Sequence, residues 1–157
     1  MTEKPTSNFK IVADNRKARY HYEIGEAFEA GLVLTGTEVK SLREHAASLE
    51  EAYARIDAGE LWLIGSDIPE YTMGNRLNHK PKRPRKLLLH KREIEKFAGK
   101  ASQKGFTLVP LRLYFKEGRA KIEIAVARGK KLYDKRDTKK KAEVARDIRK
   151  AMKDRRK

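Results

Sequence analysis

The chain has 157 residues, 38 Lys and Arg against 22 Asp and Glu, a formal net charge of +16 and no cysteine. That length suits one compact domain with a tail to spare, and the missing cysteine excludes a disulfide framework, thiolate metal ligands and a cysteine nucleophile. With no apolar run near membrane-span length and a polar Met1–Asn8, a cytoplasmic protein with a polyanionic partner is expected.

Residues 1–7 read as a flexible N-terminus. From Tyr20 to Leu34 the even positions Tyr20, Tyr22, Ile24, Phe28, Ala30, Leu32 and Leu34 are apolar, with Glu26 the exception. Their odd neighbours are mostly polar or small. Period-2 alternation over that length predicts one long strand with a buried face, bent at Gly25 and Gly31. Thr35-Gly36-Thr37-Glu38 fits a capping box, and Val39, Leu42 and Ala46 follow at helical spacing, predicting a helix from about Thr37 to Ala46. Tyr53 to Ile56 and Leu61 to Ile64 flank a turn at Asp57-Ala58-Gly59-Glu60, a hairpin signal.

Tyr71 to Arg92 carries eight basic residues and no acidic one. Its Pro-broken centre, Lys80 to Lys86, reads as an exposed basic loop. Ile94, Phe97, Ala98 and Ala101 then form one helix face. Phe106 to Phe115 and Lys121 to Ala127 are strands around Lys116-Glu117-Gly118-Arg119, with Val109, Leu111, Leu113 and Phe115 on one face. Pro110 lacks an N–H and marks an edge or a bulge. Five or six antiparallel strands with two short helices predict a mainly β fold, a small OB-like barrel over residues 8–128.

Beyond it the charge changes character. Residues 130–157 hold 14 Lys and Arg against 5 Asp and Glu, whereas the preceding 129 hold 24 against 17. Val144, Ile148 and Ala151/Met152 leave an apolar stripe too thin to fold alone. Residues 129–157 are therefore expected to be a basic tail, disordered by itself and helical against a partner.

No catalytic constellation is visible. His21, His45, His79 and His90 form no zinc-binding pair. Gly31 to Gly36 has the spacing of a phosphate loop but is followed by Thr37-Glu38 rather than Lys-Ser/Thr. Carboxylates exist at Glu23, Glu26, Glu29 and Glu38, and a nuclease would need them clustered around a metal. No metal or other cofactor is expected. A basic surface with aromatics suits RNA instead, because cations release counterions from phosphates and aromatics stack on unpaired bases; Tyr133 is one candidate stacker. A membrane-surface tail is the weaker use, since no Trp, Phe or Leu follows Leu132.

Several long motifs then carry a specific resemblance. Asn15-Arg16-Lys17-Ala18-Arg19, the run Phe28-Glu29-Ala30-Gly31-Leu32 through Thr37-Glu38-Val39-Lys40-Ser41-Leu42-Arg43, and Arg85-Lys86-Leu87-Leu88-Leu89 resemble the SsrA-binding protein (small protein B) family of bacteria. So do Lys104-Gly105-Phe106-Thr107-Leu108-Val109-Pro110-Leu111 and Ala127 to Arg136. The likeness runs in order over about residues 8 to 150. It implies a non-enzymatic adaptor that binds the tRNA-like domain of transfer-messenger RNA and carries it to stalled ribosomes for trans-translation.

Its implied partners are transfer-messenger RNA, the ribosomal decoding centre and message channel, and elongation factor Tu, with the protein a monomer. The resemblance places Glu29, Leu88, His90 and Lys121 on the RNA-binding face, joined by Arg16, Arg19 and Lys86. In the tail, Gly129, Lys130 and Lys131 resemble a hinge, and Asp134, Lys135 and Arg136 the segment that engages the decoding centre. Tyr133 would stack on a ribosomal base, with Ile148 and Met152 the apolar contacts in the channel. The runner-up is a structural ribosomal protein, which would sit on every small subunit; a third reading, an OB-type nuclease, would cleave RNA with a metal.

Overall fold

A computed structural model describes residues 9–44, 46–73, 78–130, 143–144 and 146–150. Seven strands and three helices follow in the order β1 (Phe9–Asp14), α1 (Ala18–His21), β2 (Tyr22–Leu32), α2 (Gly36–Glu44), β3 (Tyr53–Asp57), β4 (Glu60–Ile64), β5 (Arg85–Leu88), α3 (Lys91–Ala101), β6 (Phe106–Lys116) and β7 (Arg119–Gly129). The strands form one antiparallel sheet ordered β1-β6-β3-β4-β5-β2-β7, and β7 returns to pair with β6. The circuit is thus closed in an OB-like manner, with β3 joined to β6 by the single pair Ala54↔Leu108.

Both tight hairpins have the turn chemistry their sequences announce. Ala58-Gly59 and Glu117-Gly118 each place two residues at positive φ, as a two-residue turn with the twist of its strands requires. The capping box also forms: the Thr35 N–H donates to Glu38 Oε1 at 2.9 Å, and the Glu38 N–H donates to Thr35 Oγ1 at 3.4 Å. Helix α2 ends at Glu44, so Ala46 lies beyond it and is exposed.

The long strand begins later than its alternation suggested. Tyr20 and His21 belong to α1, where their N–H groups donate to the Lys17 carbonyl. A single helical turn fits inside a period-2 pattern without disturbing its parity over so few residues. Further on, the register slips between Ile24 and Ala27. At Gly25 a Cβ would stand 2.9 Å from the Val126 carbonyl oxygen, so the bend relies on a missing side chain.

Strand β6 departs from its expected single face. Leu108, Leu113 and Phe115 join the main core with Ile122, Ile124 and Val126. Val109 and Leu111 instead join Ala18, Ala125 and Ala127 in a second cluster on the other side of the sheet. The cause is a bulge between Pro110 and Arg112: one extra residue inverts the parity of everything after it. Helix α3 covers the main core through Phe97, which stacks on Phe28 with ring centroids 3.9 Å apart.

Candidate nucleic-acid interface

The outer face of the sheet is organised in cross-strand rows. Gly31 of β2 lies opposite both Leu88 of β5 and Lys121 of β7, Lys121 lies opposite Tyr114 of β6, and Tyr114 lies opposite Ile11 of β1. The next row runs Glu29, Glu123, Arg112 and Asp14. Since residues in register share a face, Leu88, Lys121 and Glu29 are brought together by pairing alone, although they come from three strands.

They border an open pocket of about 640 Å³, which His90 and Lys86 also line. Gly31 provides its floor: a Cβ there would meet the Leu88 Cβ at 3.3 Å. Leu88 is 55% exposed, an apolar side chain offered to solvent beside two cations. Lys86 reaches Glu60 at 3.2 Å. His90 occupies the N-cap position of α3 but makes no capping hydrogen bond through its side chain, so the imidazole is not committed to the helix.

Glu29 is held by two groups. The Tyr114 hydroxyl donates a short hydrogen bond to Oε2, and Lys116 Nζ lies 3.7 Å from the same oxygen. Burial and the Glu29 carboxylate together push the Tyr114 phenol up, so it stays a donor at every physiological pH. Among the described residues both contacts use Oε2, leaving Oε1 to accept from outside. An acceptor of that kind suits a base amino group or a ribose 2′-OH.

Arg16 and Arg19 are not part of this group. Both are exposed at α1, at the other end of the β2–β7 pair, where Tyr22 lies opposite Gly129. From Tyr22 to Gly31 is nine residue steps of β2, roughly 30 Å along the strand. Lys130 is fixed at the α1 end, its N–H donating to the His21 carbonyl at 2.9 Å and its Nζ to the Arg19 carbonyl at 2.9 Å. Gly129 and Lys130 therefore leave the sheet beside Arg19. Of the other expected tail residues, Lys131, Tyr133, Asp134, Lys135, Arg136 and Met152 lie outside the described residues. Residues 143–144 and 146–150 are helical, with Val144 and Ile148 exposed.

The stretch from Lys80 to Lys86, expected to be an exposed basic loop, instead runs into β5 and turns Arg85 into the interior. Arg85 is wholly buried, as is Glu38, and Arg85 Nε donates to Glu38 Oε2. Arg83 Nη2 donates to Glu38 Oε1 at 2.6 Å. Arg85 also donates to the Ser66 hydroxyl at 2.9 Å and the Pro81 carbonyl at 3.0 Å. Burial by itself would raise the Glu38 pKa, yet hydrogen bonds from Arg83 and the Thr35 N–H and the Arg85 charge hold it below the usual carboxylate range. This cluster anchors the first residue of β5, three residues before Leu88. The signal for it was strand parity: Arg85 shares the inward face with Leu87 and Leu89.

Among the described residues no group of three or more His, Asp or Glu is placed to hold a metal ion, and no helix is long and apolar enough to cross a membrane. An OB-like sheet presenting cations, an apolar side chain and one oriented carboxylate around an open pocket defines a nucleic-acid-binding protein. The chain belongs to the SmpB protein family, whose model matches residues 12–154. It is 62% identical over 143 residues to the SsrA-binding protein of Beijerinckia indica subsp. indica, covering 90% of either chain. It is 59% identical over 142 residues to that of Desulforudis audaxviator, covering 90% of this chain and 93% of the relative. Among solved structures it resembles a chain described under "tmRNA-SmpB: a journey to the center of the bacterial ribosome". The TM-score is 0.66 at 51% identity, over 77% of this chain and 85% of that one.

Proposed function

We propose that this protein is the RNA-binding adaptor of trans-translation: it holds the tRNA-like domain of transfer-messenger RNA and delivers it to stalled ribosomes. The observation that carries this reading is the convergence of Glu29, Leu88, His90, Lys86 and Lys121 on one open pocket in a member of the SmpB family. Lys121 and Lys86 meet phosphates, Leu88 gives apolar contact to a base or ribose, and Glu29 accepts from an amino group or 2′-OH. No bond chemistry is assigned to the protein itself. Arg16 and Arg19, at the far end of β2, face a second stretch of RNA.

The tail, starting at Gly129 and Lys130, reads the empty message channel near the decoding centre, with Tyr133, Asp134, Lys135 and Arg136 at the centre and a helix carrying Ile148 and Met152 beyond. The adaptor works as a monomer in the cytoplasm, alongside elongation factor Tu on the aminoacylated RNA.

The test is the RNA that co-purifies with the tagged protein, followed by titration of the isolated tRNA-like domain. Transfer-messenger RNA should be the enriched species. Lys121→Ala should weaken binding and flatten its salt dependence by about one phosphate contact, whereas Leu88→Ala should weaken binding at unchanged slope. Stoichiometric recovery on all small ribosomal subunits, with no enrichment of transfer-messenger RNA, would instead point to a structural ribosomal protein.

A further inference from the structure

The row that forms the pocket does not end at Lys121. It continues through Tyr114 to Ile11 on β1, spanning four strand spacings or about 19 Å from Leu88. At that end two apolar side chains stand in solvent, Phe9 at 42% and Ile11 at 47% exposure. Phe9 packs on Tyr114 with ring centroids 4.8 Å apart and planes inclined at 37°. The Tyr114 hydroxyl in turn holds Glu29 at the pocket. Phe9 also lies in register with Lys116, and Lys116 with Arg119, and both cations are exposed.

We propose that the RNA interface extends beyond the pocket to β1, where Phe9 is the stacking platform for one unpaired nucleotide whose phosphates lie on Lys116 and Arg119. This rests on the RNA-binding reading of the pocket. The surface is continuous with that pocket, and its aromatic face is backed by a second ring, so little side-chain entropy is lost on stacking. Two apolar side chains are far too little area for a stable protein interface, which needs about 800 Å² per partner. Double-helical RNA offers no open base face, so the ligand is a looped-out or single-stranded nucleotide.

The experiment titrates the isolated tRNA-like domain of transfer-messenger RNA against the full chain and its Phe9→Ala, Phe9→Leu, Phe9→Trp and Leu88→Ala variants over a range of salt. Phe9→Ala should weaken binding by about 5- to 150-fold, the value of one stacked base, with an unchanged salt slope. Phe9→Leu preserves packing on Tyr114 but removes the stacking face, so it should bind as weakly as Phe9→Ala. Phe9→Trp should bind at least as well as the parent. Parental affinity in Phe9→Ala or Phe9→Leu overturns the proposal. If Leu88→Ala still weakens binding in that case, the pocket reading stands and only the extension fails; if it does not, both fail.

Discussion

Glu38 and Arg85 stand 47 residues apart in the chain and meet in the interior, both wholly removed from solvent and joined by a short hydrogen bond. Glu38 is at the same time the return half of the α2 capping box. One carboxylate therefore fixes both the start of a helix and the start of the strand that carries Leu88.

Removing either partner strands a buried charge, which costs about 3–5 kcal/mol. Glu38→Ala and Arg85→Ala should each lose stability on that scale in urea unfolding. The double variant Glu38→Leu/Arg85→Met, which leaves only the partly exposed Arg83 without its carboxylate, should be closer to the parent than either single change. Arg83→Ala should cost less, because its side chain is 35% exposed. A single-variant loss below about 1 kcal/mol would contradict a paired, desolvated arrangement.

The same cluster gives an acid limb to the stability curve. A carboxyl whose folded pKa lies below its ordinary value of 4.5 contributes fully above that value and loses its contribution as pH falls through the folded pKa. Thermal midpoints measured from pH 7 down to pH 3 should decline below about pH 4.5. Glu38→Gln should be less stable at neutral pH and decline less in acid. Glu26, pushed down to about 2 by hydrogen bonds from Lys100 and Lys96, has the same sign, but solvent screening at its exposed surface position leaves it a minor contributor.

Gly25 and Gly99 should respond oppositely to alanine. At Gly25 the new Cβ meets a backbone oxygen at 2.9 Å, an overpacked site expected to cost about 1–3 kcal/mol. At Gly99, exposed on α3, nothing lies within 4 Å, and the higher helix propensity of alanine should add up to about 1 kcal/mol. Paired denaturation curves decide both.

Truncation after Lys130 retains the bonds from that residue to Arg19 and His21. The shortened protein should keep its thermal midpoint and most of its affinity for the isolated tRNA-like RNA, yet fail to support peptide tagging on stalled ribosomes. Loss of most RNA affinity would show that the tail, rather than the sheet, supplies the binding.

Local rules carried much of the architecture. The alternation in β2, the Thr35–Glu38 box and both hairpin turns are each decided within a few residues, and all appear. The candidate site residues come from the resemblance, and no local pattern joins them: Leu88, Gly31 and Lys121 meet only through pairing of distant strands. What escaped depended on such distant pairing. Pro110 marks an edge or a bulge from sequence alone, but the effect of the bulge on Leu113 and Phe115 depends on the partner strand. Arg85 is hidden by its Pro- and Lys-rich neighbours, although Leu87, two residues along the strand, gives its parity. Phe9 and Ile11 belong to β1, an edge strand exposed along most of its length, which leaves little of a buried face to read from its sequence.

The antiparallel β2–β7 pair has the open pocket at one end and Lys130, where the chain leaves the sheet, at the other. It therefore acts as a ruler. The gap between the pocket at Gly31 and the point where Lys130 departs is fixed by strand length, not by any flexible linker. Lengthening both strands by two residues would preserve facing and register while moving the two ends about 6–7 Å further apart. The chemistry at each end would be unchanged, but under the proposed function the RNA and the tail would no longer be spaced for the same assembly.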